Sequence, residues 1–202
     1  MKKIMCLLGL VFGFAAFTNA QKIMLIEGNL DFLRNVTDLN VVYDFSSLEV
    51  GDYSSEKAYK DKRIKELNDK EAGRGDKWSE SWERDKEVRF PDKFEELLEK
   101  GLAGNKVKAS RNNDQAEYTL IVKTKFIEPG FNVGVMSKAA AVSFEYIFVD
   151  KNNEKNVLAR LTQRLVPGAQ AMGMDFDTGT RISESYAKGG KMLAAFIIKS
   201  LK

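Results

Sequence analysis

The chain has 202 residues, with 32 lysines and arginines against 29 aspartates and glutamates, one cysteine and no histidine, giving a formal net charge of +3. Without histidine, a Ser-His-Asp triad and a His-ligated zinc site are excluded, and acid-base work would fall to Asp, Glu, Lys or Tyr. The near balance of charge argues against broad electrostatic binding to nucleic acid or anionic lipid.

Met1-Lys2-Lys3 is a short positive start, Ile4 to Phe17 an almost unbroken apolar run, and Thr18-Asn19-Ala20 ends in a small residue. That order predicts a signal peptide over residues 1–20, cleaved after Ala20, and so an exported protein of the periplasm or cell envelope. The run is shorter than the roughly 20 residues that span a bilayer, which disfavours an uncleaved anchor. Cys6 lies too early to be a lipid-attachment cysteine. Its removal leaves a mature chain with no thiol, no disulfide and no transmembrane segment, and the leader also carries two of the excess positive charges. Residues 21–202 are expected to form a single domain with a sizeable core.

Along that domain, Ile23-Met24-Leu25-Ile26, stopped by Gly28-Asn29, reads as an edge strand or an ordered lead-in. Leu39, Val41, Tyr43 and Phe45 share one face of a half-buried strand. Residues 51–89 then read as a charged helical insertion. Ser54 to Glu71 has only Ala58, Tyr59, Ile64 and Leu67 as apolar points, so most of that helix should be solvated. Gly73-Arg74-Gly75 stops it. A second helix, from about Asp76 to Lys86, sets Trp78 and Trp82 one turn apart on one face. Pro91 suits the first turn of a separate helix beginning at Phe90. Its buried stripe is Phe94, Leu97, Leu98 and Leu102, with Asp92, Glu95 and Glu96 toward the positive end.

Strands follow. Lys106 to Ser110 is short. Tyr118, Leu120, Val122, Thr124 and Phe126 share a face, as do Ala140, Val142, Phe144, Tyr146 and Phe148, and then Val157, Ala159, Leu161 and Leu165. Turn signals between them predict an antiparallel meander. A last helix from Arg181 to Leu201 places Ile182, Tyr186, Gly189, Leu193, Ile197 and Leu201 on one stripe, with Gly190 and Ala194 allowing close approach to the sheet. The predicted fold class is α+β: a two-layer α/β sandwich, with a mostly antiparallel sheet, helices packed on one face and a helical charged insertion.

The order of a strand at Val41-Val42-Tyr43-Asp44-Phe45, a helix from Phe94 to Leu102, a strand at Ala116-Glu117-Tyr118-Thr119-Leu120, a meander and a closing helix from Tyr186 to Leu201 resembles the envelope domains related to the TolB amino-terminal domain and to LpoB. The resemblance runs from Leu39 to Leu201 outside the insertion. It implies an exported, non-enzymatic protein that acts by contacting other envelope proteins, and it carries no site residue across.

Two features stand out as contact sites. Trp78 and Trp82 read either as an aromatic platform for a glycan or partner protein, or as anchors pinning the insertion to the domain, and anchoring is the ordinary fate of tryptophan. The loop Gly130-Phe131-Asn132-Val133-Gly134-Val135-Met136 is apolar for a hairpin tip. Phe131, Val133 and Met136 there either meet a partner or a membrane surface, or fold back over the core. The less apolar sheet face, with Lys123, Lys125, Glu145, Arg160, Thr162 and Arg164, reads either as a site for an acidic ligand or as an ordinary face, solvated or covered by the insertion, and the ordinary face is expected. Asp175-x-Asp177-x-Gly179 hints at a calcium loop, but the twelfth position is Tyr186, so helix capping is expected and no metal site. Ser185-x-x-Lys188 and Ser54-x-x-Lys57 match a serine-lysine dyad by chance in a lysine-rich chain. No catalytic residue and no cofactor is expected. The expected function is non-catalytic contact with an envelope protein, with small-molecule or glycan binding by the Trp pair as the alternative.

Overall fold

The structure, a computed structural model, describes residues 21–105, 107–133, 136–169 and 177–202. The predicted signal peptide, Cys6 and Asp175 lie outside the described residues.

Six strands run in the order β1 (Ile23–Gly28), β9 (Asn153–Pro167), β8 (Ala141–Asp150), β5 (Tyr118–Glu128), β2 (Asp38–Asp44) and β4 (Lys108–Ser110), with β3 (Glu49–Val50) against the far end of β5. The pairs β1–β9, β9–β8 and β8–β5 are antiparallel, so the sheet is mostly antiparallel and the meander forms as expected. The pairs β2–β5, β2–β4 and β3–β5 are parallel. They can be, because the chain leaves β2 through α1 (Glu56–Asn68), α2 (Arg74–Arg84) and α3 (Phe90–Leu102) before returning to the sheet. A separate hairpin, β6 (Phe131–Val133) and β7 (Met136–Lys138), interrupts the step from β5 to β8.

One sheet face is covered by α3 and by α4 (Thr178–Ser200). Leu39, Val41, Leu120, Val122, Val142, Phe144, Tyr146, Phe148, Ala159 and Leu161 point into it and are buried, as alternation requires. From above they meet Phe90, Phe94, Leu98 and Leu102 of α3 and Ile182, Tyr186, Leu193 and Ile197 of α4. The opposite face is laced by ion pairs, Lys123 to Asp44 and Arg160 to both Glu145 and Glu27.

The pattern breaks at two bulges. A register shift between Thr124 and Phe126 turns Phe126 out of line and makes Ile127 the buried residue. On β9, two residues between Gln163 and Val166, Arg164 and Leu165, oppose the single Ser143 between Phe144 and Val142, and Leu165 takes a left-handed backbone with φ of 48°. Leu165 is therefore exposed rather than on the core face, and Gln163 occupies the inner position. There Tyr146 donates its hydroxyl to Gln163 Oε1 at 2.7 Å, while Gln163 Nε2 donates to the Gln21 carbonyl at 3.2 Å.

The helix from Phe90 is not separate. Residues Asp85–Arg89 form a π-helical turn that joins α2 to α3 in one continuous helix. Pro91 has no amide hydrogen and leaves the Glu87 carbonyl without its usual donor. Arg111 supplies one: Nη1 donates to the Glu87 carbonyl at 2.9 Å, while its other nitrogens hold Asp92 and Glu95. An arginine twenty residues downstream thus repairs the break expected at the proline.

Gly190 and Ala194 face α3, not the sheet. A Cβ at Gly190 would lie 2.2 Å from the Phe94 carbonyl oxygen, and Ala194 sits on Gly101. Gly189 is the residue against Phe144 and Tyr146. Helix propensity alone would make Gly190→Ala stabilising by about 1 kcal/mol. Overpacking against backbone should reverse the sign, to a loss of about 1–3 kcal/mol in urea melts.

Candidate functional site

α1 and α2 fold back on each other beside the end of the sheet where β3, β5 and the β6–β7 hairpin meet. α1 starts at an N-cap, Ser55, whose hydroxyl accepts from the Ala58 amide. The two helices approach closely at Gly75, which lies on the Ile64 backbone and donates its amide to Asn68 Oδ1 at 2.7 Å. Glu56 accepts from both Trp82 Nε1 at 2.6 Å and Lys86 Nζ at 2.5 Å, and Lys60 pairs with Glu83. Burial raises the Glu83 carboxyl, but the lysine hydrogen bonds outweigh it and hold the group below its ordinary pKa.

The tryptophans separate in role. Trp82 is 2% exposed, belongs to the core and has its indole N–H committed to Glu56. It offers no face to a ligand. Trp78 is half-buried and packs at a tilt on Trp82 and edge-on against Tyr59, with centroids 5.6 and 5.7 Å away. Its free side lines a cleft of about 560 Å³.

That cleft is walled by Tyr53, Tyr59 and Trp78 on one side and by Glu128, Pro129, Gly130 and Phe131 on the other. Lys62, Arg63 and Arg74 stand on its helical side, and Arg181 with Thr178, from the first turn of α4, lies at its base. Burial pushes the Tyr59 hydroxyl up to about 12, so it stays protonated and can donate or accept. Arg181 is only 4% exposed and donates from Nη2 to Thr178 Oγ1 at 3.2 Å. Lys62 lies over the Tyr53 ring, 5.5 Å from its centroid.

The turn at Pro129-Gly130 starts the hairpin at the cleft wall. Gly130 has φ of +68°, and a side chain there would meet the Lys138 carbonyl oxygen at 2.5 Å. Glu128 accepts from the Gly130 amide at 3.1 Å and pairs with Lys138. Phe131 is 43% exposed and lines the cleft, and Met136 is 61% exposed. Val133 is paired with Met136 in the hairpin register, and its side chain is outside the described residues. The structure therefore brings Trp78 and Phe131 to one cleft, puts Met136 on the same hairpin, and withdraws Trp82 into the core.

The sequence reading missed Tyr53, Lys62, Arg63 and Arg181. For Arg181 a signal existed: a cation in the first turn of a helix opposes the helix dipole and calls for a local reason. Asp177 is the N-cap of that helix, accepting from the Thr180 amide at 3.1 Å and from Arg89 at 2.9 Å. The Ser185 and Lys188 pair is not a dyad: Ser185 is fully buried, and Lys188 reaches toward the Gly168 carbonyl. Among the described residues no group of three or more His, Cys, Asp or Glu side chains is placed to hold a metal ion, and no helix is long and apolar enough to cross a membrane.

No family model and no curated protein matches the chain. Among solved structures, the PelC dodecamer from Paraburkholderia phytofirmans is similar with a TM-score of 0.39 at 13% identity, covering 86% of this chain and 96% of that one. A single-residue variant of the same dodecamer in another space group gives a TM-score of 0.38 at 14% identity, covering 83% and 96%.

Trp82→Ala should cost about 3–5 kcal/mol in urea melts, and Trp78→Ala less than about 2 kcal/mol, because only the first empties the core. A second expectation concerns pH. Burial raises the Asp177 carboxyl, but its hydrogen bonds from Thr180 and the Arg89 charge outweigh that and hold it below the usual value. Its stabilisation is complete above the unfolded pKa of about 4 and is lost as pH falls through the lower folded value. Asp177→Asn keeps a capping oxygen and should cost about 0.5–1 kcal/mol at about pH 7, a difference that shrinks toward zero as pH falls through the lowered folded value.

Proposed function

We propose that the protein is an exported, non-catalytic protein of the cell envelope that works by holding a partner protein at the cleft between the insertion and the hairpin. The observation that carries the reading is the exposure of Phe131, which lines an aromatic and arginine-bearing cleft, and of Met136 on the same hairpin. Large apolar side chains on a hairpin tip lose free energy in water and gain it when covered. Aromatic residues, methionine and arginine are the types enriched in protein interfaces. Trp78 and Tyr59 supply a wall already packed on the core, with Tyr53 against Tyr59, which lowers the entropy cost of binding. The signal-peptide pattern of residues 1–20 and the resemblance to TolB-type and LpoB-type envelope domains support the same reading.

Glycan binding is the second reading, and it now rests on Trp78 with Tyr59, since Trp82 is buried. A photo-crosslinking residue at Phe131 separates the two. The expected result is one discrete protein adduct in intact cells, lost when Met136→Asp and Arg63→Glu are added. The same label at Lys199, roughly 30 Å farther along α4, should give none. No protein adduct at Phe131, together with retention on a glycan column that Trp78→Ala abolishes, would overturn the protein-partner reading.

A further inference from the structure

The two ends of the sheet are built differently. At one end β4 is three residues long, with Ala109 buried between Lys108 and Ser110. That is a short, polar edge of the kind that resists further pairing. At the other end β1 pairs with β9 on one side, and among the described residues nothing pairs with its other side. Met24, Leu25 and Ile26 follow one another there at 49%, 45% and 57% exposure.

A bulge falls at Ile26, between the pairs Leu25 to Leu161 and Glu27 to Arg160. Bulges often protect an edge, in company with a charge or a proline. Here the bulged residue is an isoleucine, so the bulge adds apolar surface. The strand is also held out firmly. Gln163 donates to the Gln21 carbonyl at its start, and Gly28, with φ of +72°, seats its end against the Leu158 carbonyl. Ordering this edge before pairing removes much of the entropy cost of adding a strand.

The charges indicate which strand is added. Lys22 precedes the apolar run and Glu27 follows it. Both are exposed. Laid antiparallel, two copies of β1 bring the basic start of each beside the acidic end of the other. Laid parallel, they set like charges together, which is unfavourable. An antiparallel pair of identical strands is also a closed two-fold arrangement, which stops at two copies.

We propose that β1 is a self-association edge: two copies of this chain join β1 to β1 antiparallel, extending the sheet across the pair and covering Met24, Leu25 and Ile26. This edge is distinct from the cleft. A surface used for a different partner by each would leave both free at once.

Sedimentation equilibrium on the protein purified from the full-length gene tests this. The expected result is a dimer, with Ile26→Lys monomeric and Lys22→Glu weakened about tenfold in dissociation constant. Circular dichroism should show both variants folded, since neither side chain is buried. Leu25→Cys gives a second readout independent of affinity, a disulfide-linked dimer under mild oxidation. A monomer at about 100 µM, or a dimer unaffected by Ile26→Lys and not cross-linked through Leu25→Cys, would overturn the proposal.

Discussion

Pro91 cannot donate a hydrogen bond, yet the helix that carries the core runs through it. The π-turn before it and the Arg111 guanidinium behind it make that continuity possible. The result is a helix about 40 Å long from Arg74 to Leu102. Its second half lies in the core through Phe90, Phe94, Leu98 and Leu102. Its first half stands clear of the sheet and carries Trp78 to the cleft. Had the chain broken at the proline, the insertion would hang on a hinge and the cleft wall would have no fixed position. Burial raises the pKa of Glu95, against the pull of Arg111, so the repair is made by a carboxylate and a guanidinium held partly out of water. Such a pair does little for stability by itself, and its use here is to fix geometry.

Everything around the long helix is tied to it. α4 lies so close to α3 that the Gly190 position has room only for hydrogen. Arg89, in the π-turn, reaches Asp177 at the cap of α4, and so ties the base of the cleft to the same element. α1 is held on α2 by the ion pairs of Glu56 and Glu83 and by the Trp82 indole. Two polar pairs are buried in the core, Thr124 bonded to the Tyr186 hydroxyl and Tyr146 to Gln163. Buried groups satisfied in this way specify one packing arrangement more sharply than apolar contacts do.

Much of the scaffold is legible in residue periodicity. The inner faces of β2, β5 and β8 and the stripe of α4 follow from alternation and spacing alone, whereas for β1 the sequence leaves an edge strand and an ordered lead-in open. What was not legible depends on contacts between distant residues. Leu165 and Phe126 keep the period of a strand but sit past bulges, which leave no trace in a two-residue pattern. Pro91 is a sound helix-start signal when read locally, and only Arg111 countermands it. The parallel pairing of β2 with β5 is a matter of crossover and not of local sequence.

The site divides in the same way. Phe131 and Met136 are conspicuous in sequence because apolar residues are out of place at a hairpin tip, and both are exposed. The Trp pair is conspicuous too, but helical spacing cannot tell the face toward Glu56 from the face toward solvent. Tyr53 comes to the cleft through the short β3 turn, and Arg181 through the start of α4, two segments with no motif in common. A cleft assembled from the insertion, two turns and a helix start is written in tertiary packing.

The central claim is that α2 is one rigid body with α3, so that the cleft is preformed. Native-state hydrogen exchange tests this most directly, because it reports opening energies segment by segment. If the claim holds, the amides of Arg74–Arg84 exchange through the same global opening as those of Phe90–Leu102. If the α2 amides exchange orders of magnitude faster while α3 stays protected, the helix is hinged at the π-turn and the account of the cleft fails.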